Sequence, residues 1–206
     1  MIANDSFQTL AKPCQAELKV KGSRFLGYAA PVSDKEDAEK IIESIRKTFF
    51  DATHHCYAYR LGLHAEEMTR VSDDGEPSGS AGRPILTVVE GLGLTDLVVV
   101  VTRYFGGTKL GVGGLVRAYG GTASLVLEKA EIIRRFLTDS VRIDCTYPQL
   151  GAVLKAVDQF GANVEQSAYQ EQVRLSVIIR RQKTDAFVHA VIEASAGKVQ
   201  PTIEPR

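Results

Sequence analysis

Residues 98–121 read VVVVTRYFGGTKLGVGGLVRAYGG, and this stretch determines most of what the sequence predicts. Its four consecutive valines predict a strand that is buried on both faces. Glycines then let the chain turn tightly or approach another group closely, and these are Gly106, Gly107, Gly111, Gly113 and Gly114. A helix is predicted from about Gly114, and the first N–H groups of a helix lack partners within it. A strand, a glycine-rich loop and a helix N-terminus in this order favour binding of an anion.

Three cations in the same stretch strengthen the prediction of an anion site. Arg103, Lys109 and Arg117 add positive charge, and no acidic residue occurs between positions 103 and 117. A second interpretation is a glycine-rich connection that packs against its own sheet. Known phosphate loops fit poorly, because there is no G-x-x-x-x-G-K-[ST] motif and Gly111-Val112-Gly113 lacks the rest of a dinucleotide fingerprint. The sequence therefore gives little support to nucleotide hydrolysis.

Residues 72–84, SDDGEPSGSAGRP, predict a polar loop, because Asp, Gly, Ser and Pro each favour turns. Oxygen ligands from Asp73, Asp74 and Glu76 could hold a divalent cation, but the full calcium-loop pattern is absent, which favours solvated turn acids. Pro84 suits the first position of a short helix. We expect this acidic loop to face the basic loop that follows the valine strand.

The segment His54 to Tyr59, HHCYAY, predicts a strand. Alternation places His54 and Cys56 on one face, and His55 and Tyr57 on the other. A zinc site would need ligands at C-x-x-C or H-x-x-x-H spacing, which the chain does not have. No G-x-S-x-G elbow marks a nucleophile. The segment is therefore interpreted as a half-buried strand with a polar side chain lining a cleft, with no metal site and no catalytic residue.

Four segments together resemble the IMPACT family, and specifically its bacterial YigZ branch. They are Ser23-Arg24-Phe25, His54 to Tyr59, Asp73 to Pro77 with Ala81 to Pro84, and Arg103 to Gly107 with Gly111 to Val116. The resemblance extends over essentially the whole chain, although its motifs lie within about residues 20–121. Ser80 stands where many relatives have Thr.

This resemblance implies an α+β protein of two domains. The N-terminal domain would be similar to the second domain of ribosomal protein S5, and the C-terminal domain would be ferredoxin-like. Together they are similar to the fourth and fifth domains of elongation factor G. Animal and fungal members of the family act in translational control through a kinase pathway that bacteria lack. The resemblance therefore implies an association with translation but not that pathway.

Composition predicts an intracellular protein. A chain of 206 residues with 44% hydrophobic residues can bury one large or two small cores. Three cysteines without framework spacing argue against a disulfide-stapled secreted domain. The N-terminus lacks a basic segment followed by an apolar core, so we expect a cytoplasmic protein. The formal net charge is +0, and any nucleic-acid binding must therefore depend on a local patch.

Hydrophobic periodicity outlines the N-terminal domain, which is expected to span residues 1–135. Residues 14–31 read as strands broken near Gly22, and Ser33 and Glu36 form a capping box before an amphipathic helix. A strand at 54–60, the acidic loop, a short helix and the valine strand follow. The last helix is predicted from about Gly114 to Ile133. Gly120 and Gly121 lie within it, which suggests close packing.

The C-terminal domain is expected to span residues 139–206, after a turn-prone boundary at 134–140. Alternating strands and helical spacings predict the ferredoxin-like order βαββαβ. Helices would cover one face of its sheet. The other face would carry Arg142, Arg174, Ser176 and Arg180, and it lacks the paired aromatics of an RNA-recognition sheet, which favours a solvated face.

The sequence therefore predicts a non-catalytic binding protein associated with translation, without a cofactor. Its partner would be RNA, the ribosome or a translation factor, with no membrane contact and no sequence-specific DNA binding. The alternative is a phosphate-ester or nucleotide-dependent enzyme with magnesium on Asp73 or Asp74 and His54 or His55 as general base. The predicted ligand-binding residues are Arg103, Tyr104, Gly106, Gly107, Lys109, Gly113, Gly114, Arg117, His54, His55, Asp73, Asp74 and Glu76.

Overall fold

The computed structural model describes residues 5–63 and 67–204. Internal contacts divide it into two compact units, which gives the two-domain α+β fold that the sequence predicts. One unit comprises residues 7–135. The other comprises residues 136–204 together with Asp5 and Ser6. None of the described helices is long and apolar enough to cross a membrane.

The N-terminal unit contains a five-stranded antiparallel sheet and a two-stranded sheet. Its elements are β1 (Ser6–Leu10), β2 (Cys14–Val20), β3 (Ser23–Pro31), α1 (Lys35–Thr48), β4 (His54–Leu61), β5 (Met68–Ser72), α2 (Gly82–Gly91), β6 (Leu97–Tyr104), α3 (Val112–Glu128) and β7 (Ile132–Phe136). The strand order of the large sheet is β2-β3-β6-β4-β5, and β1 pairs with β7.

Strand β6 is the centre of this unit, as its valines predict. Val99 and Val101 belong to the hydrophobic core that includes α2 and α3. Val98 and Val100 belong to a second core that includes α1. All four side chains are fully buried. The strand is therefore covered on both faces, which explains the continuous apolar run.

Several predicted boundaries in the N-terminal unit are wrong by a few residues. The N-cap of α1 is Asp34, whose carboxylate accepts from the amide of Asp37, and not Ser33. Helix α2 begins at Gly82, two residues before Pro84. Helix α3 runs from Val112 to Glu128, and residues 132–136 form β7 instead of continuing the helix.

The C-terminal unit has the ferredoxin-like fold. Its elements are β8 (Thr138–Cys145), α4 (Tyr147–Phe160), β9 (Asn163–Tyr169), β10 (Val173–Arg180), a 3₁₀ turn (Arg181–Lys183), α5 (Thr184–Ala194) and β11 (Thr202–Glu204). The strand order is β11-β8-β10-β9, and the strands pair in antiparallel fashion. The division between the units falls between Arg135 and Phe136, within the predicted boundary at 134–140. These residues are not turns as expected, because strands β7 and β8 occupy most of the segment and their pairing satisfies the backbone.

The open face of the C-terminal sheet carries the predicted arginines, and two of the three have carboxylate partners. Arg142 and Arg174 both lie within ion-pair distance of Asp144, at 3.3 and 2.6 Å. The guanidinium of Arg180 stacks over the ring of Phe136. The positive charge of Arg142 and Arg174 on this face is therefore offset by neighbouring carboxylates.

Candidate functional site

Arg103 lies inside the N-terminal unit and is not a free cation on its surface. It follows Val99 and Val101 on the inward face of β6, and its side chain is only 6% exposed. Its Nη1 donates to Oε1 of Glu76 over 2.6 Å. The basic and acidic loops therefore meet, as predicted. The expectation that Arg103 holds an anion directly needs correction, because a buried carboxylate already neutralises its charge.

Glu76 is the centre of a buried polar network. Its side chain is 4% exposed and also accepts from the hydroxyl of Tyr119 over 2.7 Å. Nε2 of His54 lies 4.0 Å from the same oxygen. Burial is the main cause that raises the pKa of Tyr119, so the phenol stays protonated and donates. Sequence reasoning missed Tyr119, although its spacing from Leu115 and Ala118 places it on the inward face of α3.

The two aspartates of the acidic loop have structural roles. The Asp73 carboxylate accepts from the amides of Gly79, Ala81 and Gly82, each at 2.8 to 2.9 Å, and so caps α2. Asp74 accepts from the amide of His55 and from the guanidinium of Arg46. Every oxygen of both carboxylates thus has a protein donor, so both side chains hold the acidic loop in place. Nowhere in the described residues do three metal-ligating side chains cluster.

Both histidines are constrained by hydrogen bonds. Nδ1 of His54 lies 2.7 Å from the carbonyl oxygen of Asp74, and because a carbonyl only accepts, this nitrogen carries the proton. His55 is 8% exposed, and its Nδ1 lies 3.2 Å from Oγ1 of Thr102. Burial is the main cause that lowers the pKa of His55, so its ring is neutral at pH 7. Burial likewise raises the pKa of the neighbouring Cys56 thiol to about 12, which keeps it protonated.

The free positive charge of this unit lies outside that network. Lys109 and Arg117 are exposed. Neither forms an ion pair with any residue that the structure describes, which are residues 5–63 and 67–204. The N-cap of α3 is Gly111, which has no side chain to accept from the first amides of the helix. Phe105 is 47% exposed beside them. We call Phe105, Lys109, Val112 and Arg117, with the N-terminus of α3, the α3 surface.

The predicted glycines have different roles. A Cβ on Gly106 would lie 1.9 Å from the carbonyl carbon of Gly22, so this glycine allows its loop to touch the turn between β2 and β3. Gly107 has a φ of +84°, a left-handed conformation that favours glycine. Gly113 and Gly114 form the first turn of α3. The loop is therefore packed at one end and open at the other.

The predicted site residues thus fall into two groups. His54, His55, Asp73, Asp74, Glu76 and Arg103 form a hydrogen-bonded interior, and Lys109, Gly113, Gly114 and Arg117 lie on the α3 surface. Tyr104 belongs to neither group, because its hydroxyl donates to Asp51 and its ring faces the guanidinium of Arg24. A cavity of about 480 Å³ joins the two groups. It is lined by Glu76, Pro77, Arg103, Phe105, Lys109, Leu110, Gly111, Val112 and Leu115.

Known proteins resemble this chain over most of its length. Residues 21–127 match the Impact N-terminal domain, and residues 143–198 match a domain of unknown function, DUF1949. The IMPACT family member YvyE of Bacillus subtilis is 35% identical over 94% of this chain and 88% of its own. The family member YigZ of Escherichia coli is 34% identical over 95% and 97%. A crystal structure of a hypothetical protein superimposes with a TM-score of 0.76 at 33% identity, covering 98% of both chains.

Proposed function

Because the chain belongs to the IMPACT family, we propose that it is a binding protein of the translation machinery that contacts RNA through the α3 surface. The observation that carries this proposal is the free positive charge of Lys109 and Arg117 beside the N-terminus of α3. Helix N-termini and unpaired cations are groups that bind phosphate oxygens. The association with translation that the family resemblance implies directs the proposal to RNA of the ribosome.

The charge distribution supports a local contact instead of a broad one. The whole chain has a formal net charge of +0, and Arg103 is neutralised by Glu76. Lys109 and Arg117 therefore supply the positive side-chain charge of the α3 surface. The exposed ring of Phe105 adds a flat apolar surface, and aromatic rings beside cations are the usual elements of single-strand binding.

The enzyme alternative is not proposed, because the acidic and histidine groups that it requires already have structural partners. The carboxylates of Asp73 and Asp74 accept hydrogen bonds from backbone amides, and that of Asp74 also accepts from Arg46. His55 is buried, and the Nδ1 proton of His54 is committed to a carbonyl. These groups hold the acidic loop in place, so the proposal assigns no catalytic step to them.

Co-sedimentation of the purified protein with bacterial ribosomes tests the proposal. The Lys109→Ala/Arg117→Ala variant removes both free cations of the α3 surface. We expect this variant to remain in the supernatant instead of sedimenting with the ribosomes. The matched control is Lys155→Ala/Lys198→Ala, which removes the same charge from exposed positions of the C-terminal unit. Equal pelleting of both variants would contradict the proposed surface.

A further inference from the structure

The cavity beside the α3 surface has the size of a small-molecule site. Its volume of about 480 Å³ lies within the range of about 300 to 1,000 Å³ that is typical of ligand pockets. It opens between Pro77 of the acidic loop and the first residues of α3, Gly111 and Val112. The loop with Gly106 and Gly107 forms a further side through Phe105.

One part of the cavity is apolar and carries an exposed ring. Phe105 is 47% exposed and Val112 is 57% exposed, although both are large hydrophobic residues. Leu110 and Leu115 extend the same wall. A flat aromatic group that stacks on Phe105 would cover this apolar surface. The bases of nucleic acids stack on aromatic side chains in this way.

The other part of the cavity is positive. Lys109 lies on its rim, and α3 begins at Gly111 and Val112 with no side-chain cap from the described residues. Because Arg103 balances the charge of Glu76, the charge that remains is that of Lys109 and the helix N-terminus. This distribution favours an anion, and phosphate suits a helix N-terminus.

Arg103 brings a buried donor without a partner to the lining of the cavity. It lines the cavity, and its side chain is 6% exposed. Nη1 and Nη2 donate to Glu76 and Ser23, but Nε is buried without a hydrogen-bond partner among the described residues. Buried donors almost always have a partner. An acceptor that enters the cavity would approach this guanidinium.

We propose that this cavity takes one unpaired nucleotide of RNA. The base stacks on Phe105 against Val112 and Leu115, and the phosphate lies at Lys109 and the N-terminus of α3. The inference rests on the proposed function, because it names the part of the RNA that the α3 surface recognises. It requires a nucleotide outside a duplex, since a base within a helix is stacked on its neighbours.

The absence of tryptophan from the sequence allows a direct test. The Phe105→Trp variant places a single indole in the cavity, and a base that stacks on it quenches its fluorescence. Phe50→Trp is the matched control, because Phe50 is 84% exposed and does not line the cavity. The probe is a single-stranded oligoribonucleotide whose affinity is also measured by fluorescence anisotropy.

We expect quenching in Phe105→Trp, with the same midpoint as the anisotropy titration, and none in Phe50→Trp. A second measurement uses Phe105→Ala, for which we expect affinity to fall at least about fivefold, the lower limit for loss of one stacked base. An oligoribonucleotide with an abasic site should bind the wild-type protein more weakly by a similar factor, and Phe105→Ala should not distinguish the two probes. Circular dichroism of each variant verifies its fold.

The two proposals fail in different ways. Suppose that RNA binds and that its affinity depends on Lys109 and Arg117, but that it does not quench the indole of Phe105→Trp and that the wild-type protein binds the abasic probe equally well. The nucleotide pocket is then wrong and the proposed function stands. If an acidic peptide quenches the indole and RNA does not, the pocket binds protein and the inference is also overturned. If RNA does not bind the wild-type protein at all, both proposals are wrong.

Discussion

At the residue scale, the ion pair between Arg103 and Glu76 fixes the acidic loop on the sheet. Each side chain is at least nine-tenths buried, and Tyr119 donates a second hydrogen bond to the carboxylate. Taking both charges out of water is costly, and their close contact offsets that cost. Removing one partner leaves the other charge buried and without compensation. We therefore expect a single substitution to lower the free energy of unfolding more than the double substitution does.

We expect Arg103→Ala to lower the free energy of unfolding by about 3 to 5 kcal/mol, because it leaves the buried charge of Glu76 without a counter-ion. Arg103→Leu combined with Glu76→Gln should cost less, since neither charge then remains. Urea denaturation followed by circular dichroism measures both. A double variant that is less stable than Arg103→Ala would contradict this view of the pair.

The face of the sheet to which the Arg103 side chain points could be predicted from sequence, but the partner of this side chain could not. Arg103 lies two residues after Val101, so strand alternation already places it on an inward face. Glu76 lies 27 residues away, and no local pattern connects them. The same holds for Asp73, which looks like a solvated turn acid until the fold brings the start of α2 to its carboxylate.

Asp73 should make stability dependent on pH. Burial alone would raise its pKa, but hydrogen bonds from the amides of Gly79, Gly82 and Ala81 hold the pKa below its ordinary value. A lowered pKa in the folded state stabilises the protein above the unfolded-state pKa of about 3.9, and this contribution disappears as pH falls below it. We expect Asp73→Asn to be less stable than the wild type at pH 7, with a difference that shrinks below about pH 4. Thermal unfolding across pH measures this, and a constant difference would contradict the assigned cause.

At the element scale, α3 serves both the core and the surface. Its inward face carries Leu115, Tyr119 and Val126, and its N-terminus opens to solvent at Gly111. Helical spacing predicts the inward face well. The ends of α3 are less predictable. Val112 and Gly113 are poor helix formers, and β7, which follows α3, is defined by pairing with β1, more than 120 positions earlier in the sequence.

Gly120 is the clearest position at which α3 can be improved. A Cβ there would lie 3.8 Å from Pro84, an ordinary van der Waals distance, so close packing does not require glycine. We expect Gly120→Ala to raise the free energy of unfolding by about 0.8 to 1 kcal/mol. Gly106→Ala is the contrasting variant and should destabilise the protein, since its Cβ would overlap Gly22. Thermal unfolding of both variants is the measurement, and stabilisation by Gly106→Ala would be inconsistent with the packed loop.

At the scale of the whole molecule, no hydrophobic cluster of the described residues is shared between the two units, which predicts that each unit folds by itself. The sequence places the second domain at residues 139–206, whereas β8 begins at Thr138 and Arg180 stacks over Phe136. We expect the fragment 136–206 to fold alone by circular dichroism and to exceed the fragment 139–206 in stability by about 0.5 to 2 kcal/mol, the range of a cation–π contact. An unfolded 136–206 fragment would contradict the division into two units.

The dependence of RNA affinity on salt tests the central claim, binding through the free cations of the α3 surface, most directly. Each phosphate contact on single-stranded RNA contributes about 0.7 to the slope of log affinity against log salt concentration. We expect Lys109→Ala/Arg117→Ala to bind more weakly than the wild type with a slope shallower by about 1.4, and Lys155→Ala/Lys198→Ala to keep the wild-type slope. An unchanged slope in Lys109→Ala/Arg117→Ala would show that RNA binds elsewhere or not through these charges.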